Sequence, residues 1–277
     1  MSTRNLIVFG GNGFLGKRIC QAAIKSGFNV VALSRSGRQP DPMTANDKHW
    51  MDRVLWKSAD VFKPDSYIDI IREHNTTDVV HSIGILLENQ SYKSIINDVH
   101  FPPWRGKNPL LHPRKTKNPN FTYKMINTQS AILLNSAFND VLKERSQGIL
   151  DRHTFTYISA DRGFPLLPNG YINSKRETEA YLLNDKNGAR IAKPIIIRPG
   201  FMFDEQSNLN LRSVLNSSLE ALNCLNETIL KKKVQLINDN IRATVATQQV
   251  ARAVIEKIND PSFEGIVRLE DILKNNQ

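Results

Sequence analysis

The chain has 277 residues, 40% apolar and 23% charged, which predicts one large folded domain, or one with a small lobe, and excludes a disordered chain. No apolar run approaches the ~18 residues of a membrane-spanning helix, and two cysteines, Cys20 and Cys224, exclude a disulfide framework and a cysteine zinc site. A reducing compartment follows, no metal site is expected, and the net charge of +10 points to an acidic partner, ligand or surface.

The first four residues lead straight into Leu6–Phe9, a strand, so no cleavable presequence is expected. Phe14–Lys25 follows as a helix with Leu15, Ile19, Ala22 and Ala23 on one face, closed by Gly27. Val30–Leu33 and Trp56–Ala59 read as the second and third strands, Asp65–Glu73 as a helix, and Val79-Val80 as the centre of a fourth strand. Asn127–Leu142 is a helix with Ala131, Leu134, Phe138 and Leu142 on one face. Phe155–Ile158, the helix Asn173–Leu183 and Ile195–Ile197 complete six strands. Strand–helix–strand order throughout predicts an α/β fold, a Rossmann-type doubly wound parallel sheet with helices on both faces.

After Gly200 the pattern changes. Leu209–Lys231 reads as helix, Leu236–Thr244 as extended chain or turn, Thr247–Ile258 as a helix capped by Thr247, and Ile266–Leu269 as a short strand before a helical turn. The chain therefore divides into a dinucleotide-binding domain over 1–200 and a small C-terminal substrate or interaction lobe over 201–277. That lobe is interleaved with the main domain and expected over the carboxyl ends of the sheet.

Within the first domain, Phe101–Phe121 carries Arg105, Lys107, Arg114, Lys115 and Lys117 and five of the 13 prolines, with no acid. Prolines at that density exclude a regular helix or central strand, so this is a long basic insertion. Its cations, mixed with Phe101, Trp104, Leu110 and Leu111, suit an anionic lipid surface or an acidic partner. A solvated loop without a partner is the competing reading. No recognised RNA module accompanies the charge, so nucleic acid is not an expected partner. Lys231-Lys232-Lys233 reads as the last turn of a helix.

The first strand runs into Gly10-Gly11-Asn12-Gly13-Phe14-Leu15-Gly16 and then a helix. This order places glycines where a turn visits positive φ and where backbone must approach a pyrophosphate closely. The helix start then offers free N–H groups to the phosphates. The second strand ends at Ser34-Arg35-Ser36, where NAD sites place an acid for the ribose hydroxyls; here no acid precedes Asp41, and Arg38 stands nearby. A guanidinium pairs with a 2′-phosphate, so NADP(H) is expected over NAD(H). Tyr171 and Lys175 lie four apart, on one helix face. A neighbouring cation lowers a phenol pKa that starts near ~10 and makes Tyr171 a candidate general acid/base.

The glycine loop, Tyr171-Ile172-Asn173-Ser174-Lys175 and Arg198-Pro199-Gly200 together resemble the extended or atypical short-chain dehydrogenase/reductases, over essentially the whole chain. Tyr157-Ile158-Ser159-Ala160-Asp161, His81–Leu86 and Arg198–Phe203 resemble one atypical branch. That branch holds the nucleotide-binding accessory subunit of respiratory complex I and mitochondrial subunits of the coenzyme Q biosynthesis complex. The resemblance implies that Ser159 holds a reacting carbonyl and that Asn127 relays water or shapes the backbone. It implies that Asp60 and Val61 face the adenine, that Ser82, Ile83 and Gly84 line the cofactor, that Pro199 approaches the nicotinamide and that Lys175 bonds its ribose.

It further implies a peripheral protein on the matrix side of the mitochondrial inner membrane, with subunits of the coenzyme Q biosynthesis complex as partners. Two activities stay open: a nucleotide-binding subunit with weak or no turnover, and an NADPH-dependent oxidoreductase acting on a quinone precursor or another lipidic carbonyl. The segment Arg162–Gly170 departs from ordinary reductases in the spacing between Ser159 and Tyr171.

Overall fold

The computed structural model describes residues 4–42, 44–88, 120–145, 152–162, 168–184, 190–205 and 243–274. The basic insertion up to Pro119, the helix read over Leu209–Lys231, the lysine run 231–233, the extended reading up to Arg242, and Cys224 lie outside these residues.

Seven strands form one parallel sheet: β1 Asn5–Phe9, β2 Asn29–Ser34, β3 Val54–Ser58, β4 Asp78–His81, β5 Thr154–Ile158, β6 Lys193–Ile197 and a later strand, Gly265–Val267. Their order across the sheet is β3-β2-β1-β4-β5-β6 followed by Gly265–Val267. Register pairs Ile7 with Val31 and Val79, and Val80 with Thr156. The order reverses between β1 and β4, so a crevice opens there at the carboxyl ends of the strands, where ligands bind in such sheets.

Alternation along the strands divides the core in two. Leu6, Val8, Val30, Ala32, Ile158, Ile195 and Ile197 face one side and pack on α1, Gly16–Lys25, through Ile19, Ala23 and Ile24. Ile7, Phe9, Val31, Leu33, Val79, Tyr157 and Ile196 face the other. There they meet Ile71 of α3, Ile68–Glu73, the Leu134–Phe138–Leu142 stripe of α4, Ser130–Arg145, and Leu182 of α5, Asn169–Leu183. Strands covered on both faces need near-continuous apolar runs, which is why these were readable. Each fully buried Leu, Ile or Phe contributes about 1.5–3 kcal/mol.

Several elements differ from the reading of the sequence. A seven-residue helix, α2 (Ala45–Met51), was not foreseen: it is mostly polar and is held by Thr44 N donating to Asp47 Oδ2 at 2.9 Å. The helix read over Asp65–Glu73 is a 3-10 turn at Pro64–Ser66 followed by α3, because proline sits at its first turn. The third strand begins two residues earlier than read, at Val54. Ahead of α4, Lys124–Gln129 is π-helical.

The C-terminal residues are where expectation and structure part most. Met202–Phe203 (β7) pairs in parallel with Val245–Ala246 (β8) as a separate two-stranded sheet. Thr247–Asn259 (α6) lies beside α1 on one face of the main sheet, through Val250, Val254 and Ile258, rather than over its carboxyl ends. Gly265–Val267 (β9) extends the main sheet next to β6, and Leu269–Lys274 (α7) follows. The apolar stripe of α6 is buried against α1. Thr247 is the first helical residue, not the cap; Ala246 precedes the helix and its N–H donates to Gln249 Oε1 at 2.9 Å.

Candidate functional site

The glycine loop leaves β1 at Phe9 and turns at once. Gly10 has φ +82°, a left-handed value that side chains with a Cβ rarely adopt. The Gly10 and Gly11 N–H groups both reach Leu33 O, at 2.8 and 3.3 Å, and Gly13 N donates to Gly10 O at 2.9 Å. A Cβ on Gly16 would lie 2.0 Å from Gly10 O, so the loop closes on the helix start with no room for a side chain. A Cβ on Gly13 would meet nothing within 4 Å but Gly10, which leaves that side of the turn free for a ligand. Helix α1 then begins without a side-chain cap. Leu15 is buried, Phe14 is half-buried, and the Asn12 amide donates to Ser36 Oγ at 3.3 Å. These residues fit the pyrophosphate of a dinucleotide.

Around this turn the other expected binding residues collect. A Cβ on Gly10 would meet Ser82 O at 3.1 Å and Ile83 Cγ1 at 3.3 Å, so the loop after β4 walls the turn on the crevice side. At the end of β2, Ser34 Oγ accepts Gly37 N at 3.1 Å and lies 3.5 Å from Ser36 Oγ. Arg35 and Arg38 are exposed, and Ser58 Oγ donates to Arg35 O at 2.9 Å. Beyond β3, the Asp60 carboxylate accepts Phe62 N at 3.1 Å, while Val61 is buried and its carbonyl accepts the Tyr67 hydroxyl at 3.3 Å. Both sit at the carboxyl edge of the sheet, on the β3 side of the crevice.

On the other side, α5 places Tyr171 and Lys175 on one buried face. Lys175 Nζ donates to Ile158 O at 2.8 Å and sits 4.8 Å from the Tyr157 ring centre. A Cβ on Gly84 would be 3.4 Å from Lys175 Nζ and 3.5 Å from Asn127 Oδ1, so Gly84, Asn127 and Lys175 meet at one point. Asn127 lies in the π-helical turn, a geometry that recurs at functional sites. Its side chain accepts Ile85 N at 3.0 Å and donates to Ser174 Oγ at 3.1 Å. Its backbone carbonyl accepts the Tyr157 hydroxyl at 2.9 Å. Pro199, after β6, accepts Asp161 N at 2.9 Å and so faces the loop after β5.

Ser159 is placed differently from the others. Its hydroxyl donates to Glu179 and lies 3.5 Å from Arg176 Nη1; Tyr171 is not among its partners. Glu179 is itself buried and accepts from Arg176 Nη1 at 2.6 Å and Arg198 Nε at 2.9 Å. Tyr171 packs in an apolar cluster with Ile85, Phe121, Tyr123 and Ala160. Tyr123 stands edge-on to Tyr171 with ring centres 6.1 Å apart, and its hydroxyl donates to Leu86 O at 2.8 Å.

Sequence reasoning missed Glu179, Arg176 and Arg198 as a unit. The available signal was the i,i+4 spacing of Lys175 and Glu179. It also missed Arg18, Asp47 and Asp204, a buried ion cluster under the glycine loop, for which sequence offers no local signal. His81, the last residue of β4, is fully buried against Ser130 Oγ at 2.8 Å, and burial with Lys175 nearby pushes its pKa down to about 3. No group of three or more metal-ligating side chains occurs among the described residues.

Burial lowers the Lys175 pKa from 10.5 to about 7, against a smaller raising pull from Glu179. The unfolded chain therefore binds more protons than the folded one between those two values. Keeping Lys175 buried costs stability below neutral pH, and the cost fades as pH rises towards the unfolded value. Lys175→Met is expected to raise the melting temperature of the nucleotide-free protein at pH 6, with the gain shrinking steadily towards pH 10. Parallel melting curves across that range test it; a gain independent of pH would contradict it.

Fold and site geometry together define a Rossmann-type α/β protein whose glycine turn, β2 end and Tyr171–Lys175 face border the crevice of its sheet. Residues 6–123 match the model of the NAD dependent epimerase/dehydratase family. Among curated relatives, MIOREX complex component 2 of Saccharomyces cerevisiae is 51% identical over 279 residues, covering 97% of this chain and 98% of that protein. The chain belongs to the same family as that yeast protein. Solved structures agree on the fold. A short-chain dehydrogenase/reductase family oxidoreductase from Burkholderia thailandensis superposes with TM-score 0.60 at 15% identity, over 97% of this chain and 91% of that one. The dTDP-4-dehydrorhamnose reductase of Bacillus anthracis, in complex with NADP, gives TM-score 0.53 at 12% identity, over 100% of this chain and 82% of that one.

Proposed function

We propose that this chain is a dinucleotide-binding subunit of the mitochondrial coenzyme Q biosynthesis complex, in which the bound nucleotide serves assembly or regulation rather than rapid turnover. The observation that carries the low turnover is the Ser159 hydroxyl, which donates to the buried Glu179 carboxylate. A reductase of this class needs a donor that polarises the carbonyl as the phenol delivers its proton; loss of such a donor typically costs about 10²–10³ in rate. Membership of an assembly is supported by likeness to a yeast protein named as a complex component. The coenzyme Q assignment and the peripheral position on the matrix side of the inner membrane rest on the resemblance of the sequence motifs. The cations of Phe101–Phe121 would supply contact with anionic lipid.

NADP(H) is the nucleotide this reading favours over NAD(H). Arg35 and Arg38 are exposed at the end of β2, beside the Asn12–Ser36 contact, and no acid stands at 34–38. When bound, the nucleotide would supply a hydride; the glycine loop and the loops after β2 and β4 would hold it, and Lys175 with Asn127 would orient its far end.

The second reading, an NADPH-dependent oxidoreductase acting on a quinone precursor or another lipidic carbonyl, is favoured by one observation. Tyr171, Lys175 and Asn127 remain together at the crevice. One comparison separates the two. On the first reading, cells carrying Tyr171→Phe make normal amounts of coenzyme Q, while Gly13→Val lowers them at equal protein abundance. A strong coenzyme Q defect in Tyr171→Phe, at normal abundance, would establish the oxidoreductase instead.

A further inference from the structure

The crevice described above lies at the carboxyl ends of the strands. A separate cavity, of about 320 Å³, opens at their amino ends. Its floor is the sheet itself, with Ile7 of β1 beside Val31 of β2. Leu55 of β3 continues that row to the sheet edge. Helix α3 packs on this face, but its six residues reach about 9 Å, against about 20 Å for β2. Part of the row is therefore left uncovered, and Leu55 is 42% exposed.

The chain that closes α3 forms the wall. Asn75 takes φ +44°, and Thr76 N returns to Ile71 O at 3.2 Å. This turn brings Glu73, His74, Asn75 and Thr76 to the cavity, opposite Asn5 and Asn29. Most of the polar groups there are matched. The Asn29 amide donates to Asn5 Oδ1 at 2.9 Å, and the Asn5 amide to Asn75 O at 3.2 Å. Lys57 Nζ lies 3.2 Å from His74 Nε2 and 3.9 Å from Glu73 Oε2. Burial and then Lys57 lower the His74 pKa, so the imidazole is neutral at neutral pH. With Glu73 matched by Lys57 and His74 uncharged, the rim selects no ion. Thr76 is the exception among these groups: its hydroxyl is fully buried and has no hydrogen-bond partner among the described residues. Such a hydroxyl is destabilising unless something pairs with it.

We infer that this cavity binds a neutral, ring-sized molecule carrying a hydroxyl group, with the ring face on Ile7 and Val31 and the hydroxyl paired with Thr76 Oγ1. The volume sits at the lower end of small-molecule sites, which suits a single ring. The site is at the opposite edge of the sheet from the nucleotide crevice and does not rest on the dinucleotide reading.

The test is NMR titration of the isotope-labelled full-length protein with phenol, toluene and glycerol. Phenol is expected to shift the amides of residues 5–7, 29–31 and 73–76. It is expected to bind about tenfold more tightly than toluene, which keeps the ring and lacks the hydroxyl. Glycerol, which has hydroxyls and no ring, is expected to leave those amides in place. Thr76→Val keeps the side-chain shape and is expected to reduce phenol to the affinity of toluene. Asn29→Phe fills the mouth from an exposed position and is expected to abolish binding of both. If phenol shifts none of these amides, or binds no better than toluene, the inference is wrong. If Thr76→Val binds phenol as the parent does, water serves the hydroxyl and the inference is equally wrong. Phenol binding that survives Asn29→Phe would place the probe elsewhere and overturn it too.

Discussion

Replacing Arg18 with methionine is expected to destabilise the protein by about 3 kcal/mol, because two buried carboxylates lose the guanidinium that lies between them. Arg18 is 2% exposed, and its side chain spans Asp204 on one side and Asp47 Oδ1, at 3.5 Å, on the other. Asp47 is 1% exposed and keeps two other donors, Thr44 N at 2.9 Å and Trp50 Nε1 at 3.0 Å. Asp204 keeps Gln248 Nε2 at 2.9 Å and the Lys17 ammonium at 3.4 Å, so the loss is shared between the two carboxylates. Urea unfolding measures this as a lower midpoint at unchanged slope.

The double variant Arg18→Met with Asp204→Asn should recover part of the loss, since it removes the stranded charge along with its partner. A single-variant effect under about 1 kcal/mol would mean that water reaches the cluster and solvates it. The cluster ties α1, α2 and the chain after β7 into one unit. A loosened cluster would therefore weaken nucleotide binding as well as folding.

None of that cluster was legible in the sequence, whereas the sheet was. Leu6–Phe9, Val30–Leu33 and Ile195–Ile197 are apolar runs because parallel strands are covered on both faces, and such runs need no knowledge of distant residues. Arg18 and Asp204 are separated by 186 positions. Nothing local marks either as buried, and an arginine in a first helical turn reads as solvated. The glycine loop was legible because its chemistry is local: turn, close packing and helix start are consecutive.

The Tyr171–Lys175 pair was legible for the same reason, as one helix face. The Ser159–Glu179 contact was not legible, because β5 ends at Ile158 and past the strand end the alternation of faces no longer fixes direction. Glu179, on α5, holds both the Ser159 hydroxyl and Arg198 from the chain after β6, a tertiary pairing that spacing along the chain does not reveal.

Gly16→Ala is expected to abolish measurable dinucleotide binding, a loss of at least about a hundredfold, although it adds one methyl group. The added carbon would sit 2.0 Å from Gly10 O, 2.8 Å from Gly10 C and 2.9 Å from Gly11 Cα, all backbone atoms that no side-chain rotation can clear. Either the loop or the start of α1 must move. The loop has little room, since the Gly10 and Gly11 N–H groups are held on Leu33 O and a displaced Gly10 would run into Ser82 O. Moving α1 instead would pull Ile19, Ala23 and Ile24 out of a close-packed core, where gaps are costly. Each route displaces the N–H groups that the phosphates need, by more than hydrogen bonds tolerate. Gly13→Ala is the informative control. Its methyl would lie 3.0 Å from a single oxygen, Gly10 O, so the fold should survive while the methyl intrudes on the ligand's side of the turn. Circular dichroism melting and NADPH titration of both variants separate the cases: Gly16→Ala should lose both stability and binding, Gly13→Ala binding alone. A Gly16→Ala protein that bound NADPH within a few fold of the parent would show that the loop is not closed as the backbone distances require.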